Sequence, residues 1–216
     1  MQLKDKIIFE NADYVVVNKA ATVSTVRDKT GHTSVQNSLE DIYKRPTYPI
    51  TRLDKVVSGA CLFALSKEAA AEISNKQSRQ EIKKEYIAIV EGKVAVRQQE
   101  LSSYIRKQGN KSKIYKDEQS NTKKARLHYK VIKHLDHYSI VLVTLETGRF
   151  HQIRAQLADM GHPIKGDVKY GAKRKNRDRS IHLHSWRITI GGIGHAAPLP
   201  DHDSTWEIAT ALLPTL

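Results

Sequence analysis

Two short stretches of the 216-residue chain hold side chains whose types and spacing suit chemistry. In "ITRLDKVVSG" (50–59), Asp54 stands between Arg52 and Lys55, the chain turns at Ser58-Gly59, and the uninterrupted apolar run "ACLFAL" follows. A carboxylate flanked by cations at the lip of a buried strand suits either a surface salt bridge or a catalytic acid kept ionised. Spacing alone leaves both readings open. The second stretch, "LETGRFHQIR" (145–154), ends a strand-like run, turns at Gly148 and starts a helical pattern with His151, Gln152 and Arg154 in its first turns. Strand-to-helix turns often carry function, and helix N-termini favour anions. The plainer reading of the same residues is a polar helix cap.

Other chemistries find little support. The ten histidines include "HLH" (182–184) and "HLDH" (134–137), but one cysteine and no "HExxH" or paired "CxxC" give no zinc spacing, so no metal is expected. His182 and His184 alternate along a strand, where structural or RNA-contacting roles are expected. Without "GxSxG", and with Cys61 inside an apolar run, a hydrolase nucleophile is not indicated, and Cys61 reads as a buried small hydrophobe. The absence of "GxxxxGK[ST]" and "GxGxxG" removes the usual nucleotide-cofactor signals.

The charge balance points to a polyanion. Thirty-six Lys and Arg against 23 Asp and Glu give a formal net charge of +13. Neutralising phosphates releases condensed counterions, so such an excess favours nucleic acid as partner. Basic residues crowd 106–116, 123–126 (Lys123, Lys124 and Arg126) and 169–179. No apolar run approaches the roughly 20 residues of a membrane helix, and the charged N-terminus lacks an export pattern, so no membrane is expected and the cytoplasm is the default address.

The elements that must position these residues follow from periodicity. "KIIFENADYVVVNK" predicts a hairpin around Asn-Ala-Asp. "TSVQNSLEDIYK" places Val35, Leu39 and Ile42 on one helical face before Pro46. "ACLFAL" predicts a buried strand, after which Ser66 caps a helix over "KEAAAEISNKQ". "KEYIAIVEG" reads as a strand, "ARLHYKVIKHLDHYSIVLVTLETG" as two strands turning at Leu-Asp-His, "RFHQIRAQLADMG" as a helix stopped by Gly161, and "IHLHSWRITIGG" as a last strand. The lysine-rich stretch 106–124 reads as a mobile insertion between strands. Irregular alternation with several hairpins predicts an α+β fold with a mixed, largely antiparallel sheet flanked by helices, in a single domain over 1–216.

These blocks resemble a known family. "RLDKVVSGACLFALSKEAA" is similar to the "HRLDxxTSGLLLxAKxxxAA" segment of the RluA family of pseudouridine synthases. "KKEYIAIVEG" resembles its "KxYxAxVxG" strand, and "LETGRFHQIRAQLADMGHPIKGDVKYG" its "xTGRxHQIRxHxxxxGHPxxGDxxYG" over nearly the full length. "IHLHSWRITI" and "AAPLPDH" match its closing elements, in family order. The resemblance implies a pseudouridine synthase fold and isomerisation of uridine in RNA, ribosomal RNA first and transfer RNA second, with no small-molecule cofactor. It implies Asp54 as the essential carboxylate, Arg154 as its orienting partner and Tyr86 against the uracil. Arg52 would fill the stack left by the flipped base, and Arg149, His151 and Gln152 would face RNA, as the charge clustering already suggests for Lys123 and Lys124. It also implies a catalytic domain without an added N-terminal RNA-binding module. A catalytically silent RNA-binding protein on the same scaffold is the alternative.

Departures flank the acid. Thr51 stands where the family usually has His, Val57 where it has Thr, and "NKAATVS" replaces "NKPxGxxV". They bear on substrate and loop geometry.

Overall fold

A computed structural model describes residues 3–27, 33–79 and 81–213. In chain order its elements are β1 (Ile7–Glu10), β2 (Tyr14–Lys19), α1 (Val35–Tyr43), β3 (Tyr48–Pro49), β4 (Ser58–Ala64), α2 (Lys67–Ser78), β5 (Ile82–Glu91) and β6 (Gln98–Gln108). They continue with β7 (Lys111–Tyr115), β8 (Lys123–His134), β9 (Tyr138–Leu145), α3 (Gln152–Asp159), β10 (Leu183–Ile190), β11 (Ile193–Ala196) and α4 (Ser204–Leu212). The fold is α+β, as the sequence predicts. None of the described helices is long and apolar enough to cross a membrane. Backbone contacts divide the chain into two compact units: Met1–Lys84 with His184–Pro198, and Glu85–Leu183 with Leu199–Leu216.

The first unit is built on the strand order β1-β2-β4-β10, with β3 added to β4 and β11 to β10. The Asn11 side chain accepts from the amides of Asp13 and Tyr14 and so closes the β1–β2 turn. Every residue of β4 is buried, which is why this strand reads as a continuous apolar run rather than an alternation. Ser66 caps α2 by accepting from the Ala69 amide, and the helix buries Ala69 and Ile73 in a core with Val16, Leu62 and Ile188. The Ser34 hydroxyl and the Asn37 side chain form a capping box at the start of α1. That helix buries Val35 and Leu39, whereas Ile42, expected on the same face, is 37% exposed. The parallel pair β4–β10 places Gly59 against Ser185, where an added Cβ would lie 2.3 Å from the Ser185 carbonyl oxygen. Only glycine permits that approach, so Gly59 belongs to the strand, and the turn expected at Ser58-Gly59 falls earlier, at Lys55-Val56.

The second unit has the order β5-β9-β8-β6-β7, antiparallel from β9 to β7. β8 alternates, burying Ala125, Leu127, Tyr129 and Val131. The stretch 106–124, expected as an insertion, is mostly strand: the end of β6, all of β7 and the start of β8. β6 turns Leu101, Ser103 and Ile105 inward but is exposed at both ends, and the polar Ser103 between the two apolar residues weakens the alternation that the sequence displays. α4 is a helix that the sequence reading lacked, capped by the Asp203 carboxylate accepting from Thr205 and Trp206 and burying Trp206 and Ala209.

Candidate active site

The segment carrying Arg52 and Asp54 is extended, with Thr51 and Leu53 buried, Arg52 exposed and Asp54 half-buried, so the two charged side chains share a side. Thr25 fixes this geometry. Its hydroxyl donates to the Leu53 carbonyl at 2.9 Å and accepts from the Leu53 amide at 3.1 Å. The Asp54 carbonyl then accepts from the Val57 amide at 3.0 Å, closing the turn that leads into β4. Thr51 ties the other end, its hydroxyl accepting from the Leu62 amide at 2.9 Å. The residue found where the family usually has His is therefore a buried tether to β4.

Lys19, at the end of β2, is fully buried beside this segment, and its ammonium donates to the carbonyls of Ala20 and Val23 at 2.9 and 2.8 Å. Burial pulls its pKa down to about 8, and the nearby Asp54 charge acts the other way. Burial likewise pushes the Cys61 thiol up to about 11, which fits an inert packing residue. The Ser58 hydroxyl meets His184 Nδ1 at 2.8 Å, and burial drives that imidazole down to about 3, so it is neutral.

In the second unit, the turn "TGRFHQIR" is organised by Gln152. Its amide oxygen accepts from the Thr147 hydroxyl at 2.8 Å and the Arg149 amide at 3.0 Å, while its NH2 donates to the Arg126 carbonyl at 3.1 Å. Gln152 is only 3% exposed, so this side chain, expected to face RNA, shapes the turn from within. Arg149 is exposed and donates through Nε to the Lys124 carbonyl at 2.9 Å, and Lys123 and Lys124 are exposed at the start of β8. His151 precedes α3 in a left-handed conformation, φ 51°, and makes no side-chain cap. Such a conformation costs a non-glycine residue on the order of 1–3 kcal/mol and persists where surroundings impose it. Here Nδ1 meets the Tyr170 hydroxyl at 2.8 Å and the ring stacks on Phe150. The Tyr170 oxygen also accepts from the Ser112 amide at 2.7 Å, so one phenol ties the turn to β7. Ser112, buried on β7, also donates its hydroxyl to the Phe150 carbonyl, which docks the β6–β7 hairpin on the turn.

Arg154, in the first turn of α3, is buried and forms a bidentate ion pair with Asp167, Nε to Oδ2 at 2.7 Å and Nη2 to Oδ1 at 2.8 Å. Its guanidinium carbon lies 5.0 Å from the Tyr170 ring centroid. The roles of Asp167 and Tyr170 within "GDVKYG", and those of Thr25 and Lys19, emerge only in the folded chain. Tyr86 is buried on β5 at 7% exposure.

His182 is buried and structural: it accepts from Asn176 Nδ2 at 3.0 Å, donates to Asp203 Oδ2 at 2.7 Å and stacks on Trp206 at 5.2 Å. Burial, then the Lys165 charge, lowers its pKa to about 4. Burial alone would raise the Asp203 carboxyl, but hydrogen bonds from Lys165, Thr205 and His182 hold it well below the usual range. His182, His202 and Asp203 bring potential ligand atoms within 4.8 Å of one another. A cation there would meet the Lys165 ammonium, 2.8 Å from the same carboxylate oxygen.

Comparison with known proteins assigns the family. A family model described as RNA pseudouridylate synthase matches residues 13–159. The chain is 32% identical over 184 residues to tRNA pseudouridine synthase C of Haemophilus ducreyi, covering 79% of this chain and 76% of that one. It is 32% identical over 173 residues to ribosomal large subunit pseudouridine synthase C of Rickettsia conorii, covering 78% of this chain and 57% of that protein. Human RNA pseudouridylate synthase domain containing 1, a solved structure, superposes with a TM-score of 0.78 at 25% identity, covering 96% of this chain and 94% of that chain. The matched span takes in both the Asp54 segment and the turn before α3, and the chain belongs to the RNA pseudouridylate synthase family, isomerases here of the RluA type.

Proposed function

We propose that the protein converts uridine to pseudouridine within structured RNA, of the transfer or ribosomal class, with Asp54 as the essential carboxylate. The observation that carries this reading is the held geometry of the Asp54 segment: a half-buried carboxylate whose backbone neighbour is clamped by Thr25, with Arg52 exposed on the same side. A mere surface ion pair would need no such clamp.

The reaction breaks the bond between ribose C1′ and uracil N1, turns the base and joins C5 to C1′. The C5 proton is lost and N1 gains one, so atoms balance without redox change. Asp54 serves as nucleophile or as base toward the ribose, and both roles use the ionised form. Arg154 is the proposed orienting cation, itself fixed by Asp167, and Tyr86 the proposed face against uracil. A base inside a helix must be extruded, at a cost of a few kcal/mol of lost stacking. Arg52 is suited to fill the gap, because its planar cation stacks on bases and stays charged. Arg149, Lys123 and Lys124 supply phosphate contacts, and Gln152 contributes by shaping the turn. Names among the relatives divide between transfer and ribosomal RNA, which supports both classes as substrates.

The test is incubation of the protein with unmodified transfer and ribosomal RNA transcripts, followed by pseudouridine mapping. Site-specific conversion that disappears in Asp54→Asn is expected. RNA retention without conversion would instead support a silent binding protein and overturn the proposal.

A further inference from the structure

The variable position inside the "TGRxHQIR" pattern is Phe150, which is 39% exposed. A single exposed apolar side chain needs no explanation. This one differs because it is mounted. Its ring stacks on His151 with centroids 3.9 Å apart and planes at 19°. His151 is itself held in its left-handed conformation by Tyr170, and the Phe150 carbonyl is bound by the Ser112 hydroxyl of the β6–β7 hairpin. Its surroundings are cationic: the exposed Lys107 ammonium lies 4.9 Å from the ring centroid, and Arg149 is its exposed chain neighbour.

We infer that Phe150 is a stacking platform for an unpaired nucleobase of the RNA substrate. The inference rests on the proposed action on RNA. A rigid aromatic ring surrounded by cations is the pattern that single-stranded nucleic acid recognises, since every base has a π-face and every nucleotide a phosphate. An apolar protein partner would have to desolvate Lys107 and Arg149, whereas an RNA strand offers them phosphates. Lys107 sits on a flexible, exposed side chain, so its ammonium can leave the ring for a phosphate as the base arrives. The turn that carries Phe150 also starts the helix that presents Arg154, four residues on, which ties the platform to the proposed machinery.

The test uses Phe150→Trp, Phe150→Ala and Phe150→Leu in the full chain, with an oligouridylate as probe and heparin as a polyanion without bases. The native tryptophans, Trp186 and Trp206, are buried, so an indole at 150 reports the surface. Oligouridylate should quench its emission in parallel with binding, and heparin should bind without quenching. Phe150→Ala and Phe150→Leu should each weaken oligouridylate binding about tenfold with an unchanged salt slope, and leave heparin binding alone. Wild-type affinity in Phe150→Leu, or bound oligouridylate without quenching, would overturn the inference. Pseudouridine formation by the wild-type protein, assayed in parallel, separates the two failures. Conversion with no Phe150 effect on binding sinks the platform alone, and absence of conversion sinks the functional reading beneath it.

Discussion

Arg154 and Asp167 meet through two parallel hydrogen bonds of 2.7 and 2.8 Å, with both side chains at 5% exposure or less. The fork geometry fixes the guanidinium plane as well as its position, which a lysine ammonium could not do. Gly166, which precedes Asp167, takes a φ of 89°, and an added Cβ there would lie 2.7 Å from the Asn176 side chain. Arg154, proposed to orient Asp54, is thus itself oriented by a carboxylate 13 residues further along the chain.

Removing either partner should therefore weaken both fold and turnover. Breaking a buried ion pair on one side costs about 3–5 kcal/mol. At roughly 2–4 °C per kcal/mol for a chain of this size, Asp167→Ala and Arg154→Ala should each melt well below the wild type. Both should form pseudouridine slowly, and Arg154→Lys, which keeps charge but loses the fork, should fall between. Calorimetry and single-turnover assays check this, and an Asp167→Ala protein with wild-type melting would refute it.

Asp54→Asn keeps size and hydrogen bonding while removing the charge. Turnover should fall to background, with RNA affinity and melting temperature preserved because Arg52 and the basic surface are untouched. Substantial remaining activity would end the proposed mechanism.

Thr25→Val should separate positioning from chemistry. The substitution leaves the buried amide and carbonyl of Leu53 without the hydroxyl they share, at a cost of about 1–3 kcal/mol. The catalytic rate at saturating RNA should drop while RNA affinity holds, and Thr25→Ser should restore most of it. Unchanged rates in Thr25→Val would mean the clamp does not serve the acid.

Acid should destabilise the fold through its buried histidines. His182 and His184 titrate near 4 and 3 in the folded protein, against 6.5 for the ordinary group. Between those values the unfolded chain binds protons that the folded one does not, so stability is complete above about pH 6.5 and falls as pH drops toward 4. Each contributes a slope of up to about 1.4 kcal/mol per pH unit. Denaturant unfolding across this range should show uptake of about two protons, with His195, lowered in the same direction by burial, adding to it. A flat profile from pH 6.5 to 4.5 would contradict the burial of neutral imidazoles.

The exposed lysines Lys111, Lys113, Lys123 and Lys124 should contribute affinity and not chemistry. Each one removed that contacts a phosphate should lower the salt slope of binding by about 0.7–0.9. The single-turnover rate at saturating RNA should hardly move, and a large fall would mean that these lysines help build the active site.

What the sequence determined by itself is what acts over a few residues. The Asn-Ala-Asp turn, the Ser66 cap, the Gly161 stop (φ 84°) and the fully buried β4 are all local. Each is set by side-chain size, a single hydrogen bond or a short period, so each is legible in the string. The blocks around Asp54 and "TGRFHQIR" were legible in the same way, as was the +13 charge that asks for a polyanion. Tertiary structure decided which polar groups meet. Arg154 finds Asp167, Thr25 clasps Leu53 from 28 residues away, and Ser112 reaches Phe150 across 38 residues. It also decided that Gln152 points inward while Arg149, three residues earlier, stays in water. Residue type does not encode such choices, because a glutamine or a threonine is at home on a surface or in a core provided its hydrogen bonds are made. Only the packed chain supplies the partners, and with them the geometry that a carboxylate needs to do more than balance charge.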